Sequence, residues 1–394
     1  MAVTGSVVVD GRGARRARRG HPWIHADCVV ETDGACEAGD IVRVLDRDGR
    51  TCCWAAWSPS SWIALRRVSR GHDPGDPAFW SRRLAAAVAR RGSAAGEPGG
   101  CVRLLHADAD GFPGLTIDRY GPHLVAQPTT AWADRSVPAI AVELAQAVGA
   151  TSCLLRNDVA IREREGLPLG VAPLFGDTPE EVEVREAGLP RFVALRSGHK
   201  TGLYLDQQEN HRAAPGWLAG RVLDLFCGEG GFTVPLAVAG CRVVAVDQGH
   251  EVLERGERAA LANGVAERVE WLHGNVFDVL AEWDRAGERF DAIVLDPPPF
   301  ARRRAESGGA ERGHRDLHRR ALRMLRDGGR LLSFSCSFHV TPADFEQSAR
   351  DGAEEAGTAV RVLSRPGAAA DHPELLELPE SRYLKGLLLE RRDD

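Results

Sequence analysis

Residues 222–232 read Val222-Leu223-Asp224-Leu225-Phe226-Cys227-Gly228-Glu229-Gly230-Gly231-Phe232. An apolar run enters a glycine-rich turn, and a helical segment follows. This is the pattern of a buried strand whose carboxyl end lets the backbone approach a ligand closely. The spacing is Gly-x-Gly-Gly, not Gly-x-Gly-x-x-Gly, and so fits the dinucleotide fingerprint less well.

Moving toward the carboxyl terminus, Val243-Val244-Ala245-Val246-Asp247 is a second buried strand that ends in an acid, 23 residues after Asp224. A carboxylate at that tip can accept both hydroxyls of a ribose. The unit serves either NAD or S-adenosylmethionine, and two later segments decide between them. In Gly274-Asn275-Val276-Phe277, an amide follows a third strand and can meet an adenine edge. A fourth strand closes in Ile293-Val294-Leu295-Asp296-Pro297-Pro298-Pro299-Phe300. Prolines cannot continue a central strand, so they impose a rigid exit that holds Asp296 at the sheet's edge. Such an acid-Pro-Pro turn resembles the motif with which amino and base methyltransferases grip a planar substrate, and hydride transfer has no use for it.

A further strand, Arg330-Leu331-Leu332-Ser333-Phe334-Ser335, ends at Cys336. Strand ends of this kind face the ligand crevice. Cytosine C5 is too weak a nucleophile to take a sulfonium methyl unaided. A thiolate adding at C6 makes C5 enamine-like, and this is covalent catalysis by an activated nucleophile. Addition pushes charge toward N3, where the Asp296 carboxyl group can supply a proton. Cys336 and Asp296 are therefore the candidate catalytic pair. Alternating strand and helix signals from about residue 200 onward predict a doubly wound α/β sheet.

The amino-terminal half has a different character. Residues 1–72 predict a small β-rich domain, with strands at Ile41–Leu45, Trp54–Trp57 and Trp62–Leu65. They hold eleven Arg against eight Asp or Glu, and Arg12, Arg15, Arg16, Arg18 and Arg19 form the densest basic run. That run is either a loosely ordered solvated arm or a contact for RNA phosphates. Residues 73–100 predict a helix (Ala78–Gly92) and a Gly/Ala/Ser/Pro linker, and residues 101–198 an α+β middle domain with a helix from Val137 to Val148. Residues 199–394 form the catalytic domain. The nine cysteines show no zinc spacing and read as reduced thiols. No apolar stretch approaches the roughly 20 residues of a membrane span, and Met1–Asp10 lacks a secretory pattern, so a cytoplasmic location without membrane contact is expected. The net charge of −6 does not by itself advertise a nucleic-acid partner. Arginine has displaced lysine almost completely, and only Lys200 and Lys385 remain.

The chain resembles the bacterial 23S ribosomal RNA cytosine-C5 methyltransferases that carry an N-terminal PUA domain. The likeness rests on Arg19-Gly20-His21-Pro22-Trp23-Ile24, Ser58-Pro59-Ser60, Asp110–Arg119, Gly198–Gln207, the cofactor strands, Ser333–Ser337, Asp371-His372-Pro373 and Tyr383-Leu384-Lys385-Gly386. It implies a Rossmann-like class I methyltransferase domain behind the PUA and middle domains. The implied cofactor is S-adenosyl-L-methionine, bordered by Lys200, Tyr204, Asp206 and Gln207. The turn Asp224, Phe226, Cys227, Gly228, Gly230 and Phe232 would hold it together with Asp247, Gln248, Asn275, Val276, Phe277 and Asp296. No metal is implied. RNA contacts are expected from Arg15, Arg16, Arg19, Pro297, Pro298, Phe300 and Lys385, with large-subunit ribosomal RNA as partner and a homodimer as a further expectation. Arg302, Arg303 and Arg304, just past the Asp-Pro-Pro turn, read either as further phosphate contacts or as a solvated loop.

Three features depart from the family pattern. Pro299 stands where the family has lysine, Phe226-Cys227-Gly228-Glu229 replaces Phe-Ser-Tyr-Thr, and Asn275 replaces an acid. The missing lysine bears on the substrate more than on the reaction. Two other functions compete: methylation of a small-molecule or protein amine, with Cys336 structural, and a non-catalytic RNA-binding assembly factor.

Overall fold

The computed structural model describes residues 3–34, 36–198, 201–300 and 307–392. The chain divides into two compact units. The first comprises Met1–Arg185, Val193–Leu205 and Ala370–Ser381; the second comprises Glu186–Phe192, Asp206–Ala369 and Arg382–Asp394.

The first unit holds two sheets. Six strands between Val3 and Ser69 form one of them, with Val3–Val9 running parallel to Ile41–Leu45 and antiparallel to Val29–Thr32. The strand expected at 62–65 begins only at Leu65 and runs to Ser69, while Trp62 is exposed and stacked on His25 at 5.2 Å. The basic run is not a loose arm. It is a helix, Gly11–Arg19, capped by the Asp10 carboxylate accepting from the Arg12 and Gly13 amides and anchored by buried Ala14 and Ala17. The second sheet has five strands between Cys101 and Phe175. The helix predicted from Val137 starts at Ala131 instead, where the Thr130 hydroxyl caps it, and it carries Pro138 inside. Nothing in the composition of 370–381 foretells its return to this unit. Asp371 accounts for it: its carboxylate accepts from the Arg103 amide at 2.8 Å, and its carbonyl accepts from Arg91 at 2.8 Å.

The second unit is built on seven strands: β1 (Arg221–Leu225), β2 (Arg242–Asp247), β3 (Val269–His273), β4 (Phe290–Leu295), β5 (Leu325–Ser335), β6 (Val360–Ser364) and β7 (Lys385–Arg391). Their order is β3-β2-β1-β4-β5-β7-β6, with β7 antiparallel to both of its neighbours. Val222, Leu223, Val243, Ile293, Val294, Leu331 and Leu332 are buried, as near-continuous apolar runs must be in strands covered on both faces. The order reverses between β1 and β4, which opens a crevice at the carboxyl ends of the strands. No helix among the described residues is long and apolar enough to cross a membrane.

Candidate active site

On one side of the crevice the chain leaves β1 through a left-handed backbone, with φ of +63° at Phe226, +52° at Gly228 and +76° at Gly230. A left-handed residue with a side chain is strained, so Phe226 holds its conformation because the surrounding turn fixes it. A Cβ added at Gly228 would enter open space, whereas one at Gly230 would lie 2.7 Å from the Trp271 ring. The Gly228 amide donates to one Asp247 oxygen at 3.0 Å and the Gly249 amide to the other at 2.9 Å. A carboxylate offers about four acceptor sites, so Asp247 orders two turns and still has capacity for hydroxyls.

Beneath the turn, Asp224 is fully buried and accepts from the Thr233 hydroxyl at 2.5 Å. Its other oxygen has no hydrogen-bond partner among the described residues. Burial pushes this carboxyl up to about 7 despite the Thr233 bond, and the Asp296 and Asp247 charges add to the rise. An unsatisfied acid beneath an open glycine turn suits a ligand that carries positive charge, such as a sulfonium. The Asn275 oxygen accepts from the Phe277 amide at 2.9 Å and caps the helix Val276–Ala286. The half-exposed Phe277 ring lies 5.8 Å from Phe226 and 6.0 Å from Phe300, forming an apolar wall. Gln248 is exposed beside Asp247. Val276, Cys227 and Phe232 are buried; Phe232 stacks on Phe334 at 5.6 Å, and burial raises the Cys227 thiol far above its ordinary value. These three serve as packing under the turn.

Across the switch point, the Asp296 amide donates to the Leu225 carbonyl at 3.4 Å. Gln207 donates from its side-chain amide to the Asp296 carboxylate at 3.1 Å. The Gln207 oxygen in turn accepts from Asn210 at 2.6 Å. Tyr383 donates its hydroxyl to Asp206 at 2.7 Å. The half-buried Cys336 thiol points at the Pro297 carbonyl at 3.9 Å, and the Phe300 amide donates to the Ser337 hydroxyl at 3.2 Å. The acid-Pro-Pro turn and the β5 terminus are thus stitched together. Lys385, expected among the RNA contacts, is buried and donates to the Ser337 carbonyl at 2.7 Å. Its burial on β7 opposite Ser335 denies it a phosphate and leaves its ammonium near enough to Cys336 for their charges to interact. Burial pulls its pKa down to about 8, opposed by the charge of the Cys336 sulfur.

Other expected residues lie elsewhere. Tyr204 is exposed and belongs to the first unit, as does the helix with Arg15, Arg16 and Arg19. Arg15 and Arg19 are exposed, whereas Arg16 donates to the Trp23 carbonyl at 3.2 Å. Lys200 and Arg302–Arg304 lie outside the described residues. Sequence reading missed Glu186, Arg191 and His211, which form a buried network behind the glycine turn. None belongs to a spaced motif.

Comparison with known proteins adds four findings. Residues 7–70 match the family model of a PUA-like domain, and residues 219–300 match that of RNA cap guanine-N2 methyltransferases. Two candidate methyltransferases of known structure, one complexed with SAH and one from Streptococcus mutans, superpose with TM-scores of 0.83 and 0.82. Each covers 98% of this chain and 99% of its own, at 20% and 19% identity, and so shares the fold. The ribosomal RNA large subunit methyltransferase I of Klebsiella pneumoniae (strain 342) is 36% identical over 386 residues, covering 96% of both chains. That of Escherichia coli O1:K1 / APEC is 36% identical over 388 residues, covering 96% of this chain and 97% of the relative. At that identity over nearly the whole length, the chain belongs to the ribosomal RNA large subunit methyltransferase I family.

Proposed function

We propose that this protein methylates C5 of a cytosine in large-subunit ribosomal RNA, with S-adenosylmethionine as methyl donor and Cys336 as nucleophile. The observation that carries the reading is the convergence of Cys336, Lys385 and the Asp296 turn at one strand edge. The cofactor supplies an electrophilic methyl group. Asp247 would hold its ribose, Phe226 and Phe277 would flank its adenine, and Asp224 lies below the turn. The Lys385 ammonium favours the thiolate of Cys336, which bonds to cytosine C6. Asp296 gives or shares the proton that N3 takes as the ring becomes an enamine. C5 then accepts the methyl group, a base removes the C5 proton, and elimination frees the Cys336 thiolate.

The base must leave its stack to reach this edge, so single-stranded or locally opened RNA is the substrate. The amino-terminal helix, with exposed Arg15 and Arg19, supplies phosphate contacts that set register without reading sequence. The proposed reaction is cytoplasmic, because the relatives are named for acting on ribosomal RNA. A homodimer is part of the same proposal, and sedimentation velocity reading a single-chain mass would remove it.

The likeness of 219–300 to a guanine-N2 family favours a second reading, an amine acceptor that needs no thiol. Mass-spectrometric mapping of ribosomal RNA separates the two. Cells lacking the protein should lose one 5-methylcytidine in the large-subunit RNA, and a wild-type copy but not Cys336→Ser should restore it. Restoration by Cys336→Ser, or loss of a methyl group from an exocyclic amine, would favour the amine reading.

A further inference from the structure

We infer that Arg191 is a positioning residue for the cofactor turn, held in place by Glu186 and His211. This rests on the reading that the turn at 226–231 binds the donor. Arg191 is the third residue of the returning strand in the hairpin formed by Glu181–Glu186 and Leu189–Ala194, within the turn end, Glu186–Phe192, that belongs to the second unit. Its guanidinium is buried and donates to two successive carbonyls of the turn, Gly230 at 2.7 Å and Glu229 at 2.8 Å. A planar fork suits two adjacent oxygens, which the single nitrogen of a lysine would meet with poorer geometry.

The turn is gripped on three further sides. Arg255 donates to the Glu229 carboxylate at 2.7 Å. The Gly228 amide is committed to Asp247. The His211 ring lies under Gly231 so closely that a Cβ there would sit 2.4 Å from it. His211 is fixed in turn by Glu186, with Nδ1 at 2.5 Å from the carboxylate, and the same carboxylate lies 3.7 Å from the Arg191 Nε. Glu186 is buried, yet its carboxyl stays below its usual range because His211 and Arg191 outweigh the burial. The hairpin tip is pinned as well: the Pro190 carbonyl accepts from Asn263 at 3.1 Å, and Arg258 covers the Phe192 ring at 4.2 Å.

A turn rich in glycine is soft, and a soft turn loses affinity to the ordering that binding demands. Arg191 removes that freedom in advance from the face opposite the ligand, touching no reacting atom.

The test is calorimetric titration of S-adenosylmethionine into the full-length protein, with hydrogen exchange of residues 226–232 in the free protein as a second readout. Arg191→Ala and Arg191→Lys should each weaken binding, the alanine by on the order of tenfold and the lysine by less, with faster exchange confined to the turn. Wild-type affinity in both folded variants would overturn the inference, and so would unfolding of both, which would make the network a folding element. An Asp247→Ala control separates the two levels. If that variant binds as wild type does, the assignment of the cofactor site fails rather than the role of Arg191.

Discussion

The two halves of the crevice reach rigidity by opposite routes. At the end of β1 the chain uses glycines, whose freedom must be removed by outside groups: Asp247 on the ligand side and Arg191 behind. At the end of β4 it uses three consecutive prolines, which carry their rigidity in their own rings. The first edge must let a backbone lie against a ligand, so side chains are removed and the scaffold is supplied from elsewhere. On the proposed reading the second aims one carboxyl group and one thiol, so the backbone can be stiff where it stands. The cofactor edge therefore takes its backbone rigidity from distant residues, whereas the Pro297–Pro299 turn carries its own and leaves to Gln207 and Lys385 only the groups around it.

The sharpest way to separate the edges is Asp296→Asn. Loss of the N3 proton donor should lower single-turnover methylation roughly a thousandfold. Cofactor affinity, read by calorimetry, should fall far less, because Asp296 stands at the rim of the cofactor site and not under its ribose. Asp247→Ala should do the reverse: affinity should weaken by about 2 kcal/mol, or about thirtyfold, with little change in single-turnover rate at saturating donor. If both variants damage both quantities equally, the division into two edges is wrong.

Much of this division could be read from residue order. Glycine and proline announce turns, an acid after a buried strand announces a tip, and Cys336 stands at the end of an apolar run. What supports those turns could not be read. Arg191 lies 39 residues before Gly230, on a hairpin whose turn end reaches the glycine turn only in three dimensions. Lys385 stands out as one of two lysines, but the family resemblance assigns it to RNA. Its burial depends on β7 turning antiparallel beside β5, which no local pattern reports. The segment 12–19 shows the same limit from the other direction. Five arginines fit either a solvated arm or a phosphate contact, whereas Asp10, Ala14, Ala17 and Gly20 are what make the segment a helix.

Acid should break the acceptor edge first. His318 bonds Ser333 of β5 at 2.9 Å, and His314 packs on Phe300 at 4.8 Å. Burial lowers them to about 4 and about 3 respectively, with neighbouring positive charge contributing at His314. The unfolded chain takes up these protons near pH 6.5 and the folded chain does not. Their contribution is therefore intact above pH 6.5 and is lost as pH falls, by roughly 2 kcal/mol per imidazole at pH 5. Urea unfolding at pH 7.5 and pH 5.0 should show the loss, and His318→Gln should shrink it. An equal pH response in that variant would contradict the assignment.

The smallest effect is expected at Gly228→Ala. Open space surrounds the new methyl group, so only the left-handed backbone opposes it, at about 1 kcal/mol. A melting temperature lowered by a few degrees would fit. An unchanged melting temperature would show that the glycine serves the ligand alone.

The thiol's role can be tested in one experiment. RNA carrying 5-fluorocytosine lets the sulfur bond to C6 and the methyl group reach C5, but fluorine cannot leave as a proton does, so elimination stalls. Incubation with S-adenosylmethionine, followed by protease digestion and mass spectrometry, should show the peptide containing Cys336 joined to the nucleotide, and a Cys336→Ala protein should form no adduct. Absence of the adduct in the wild type, together with full methylation of unmodified RNA by Cys336→Ala, would show that the sulfur takes no part in the chemistry.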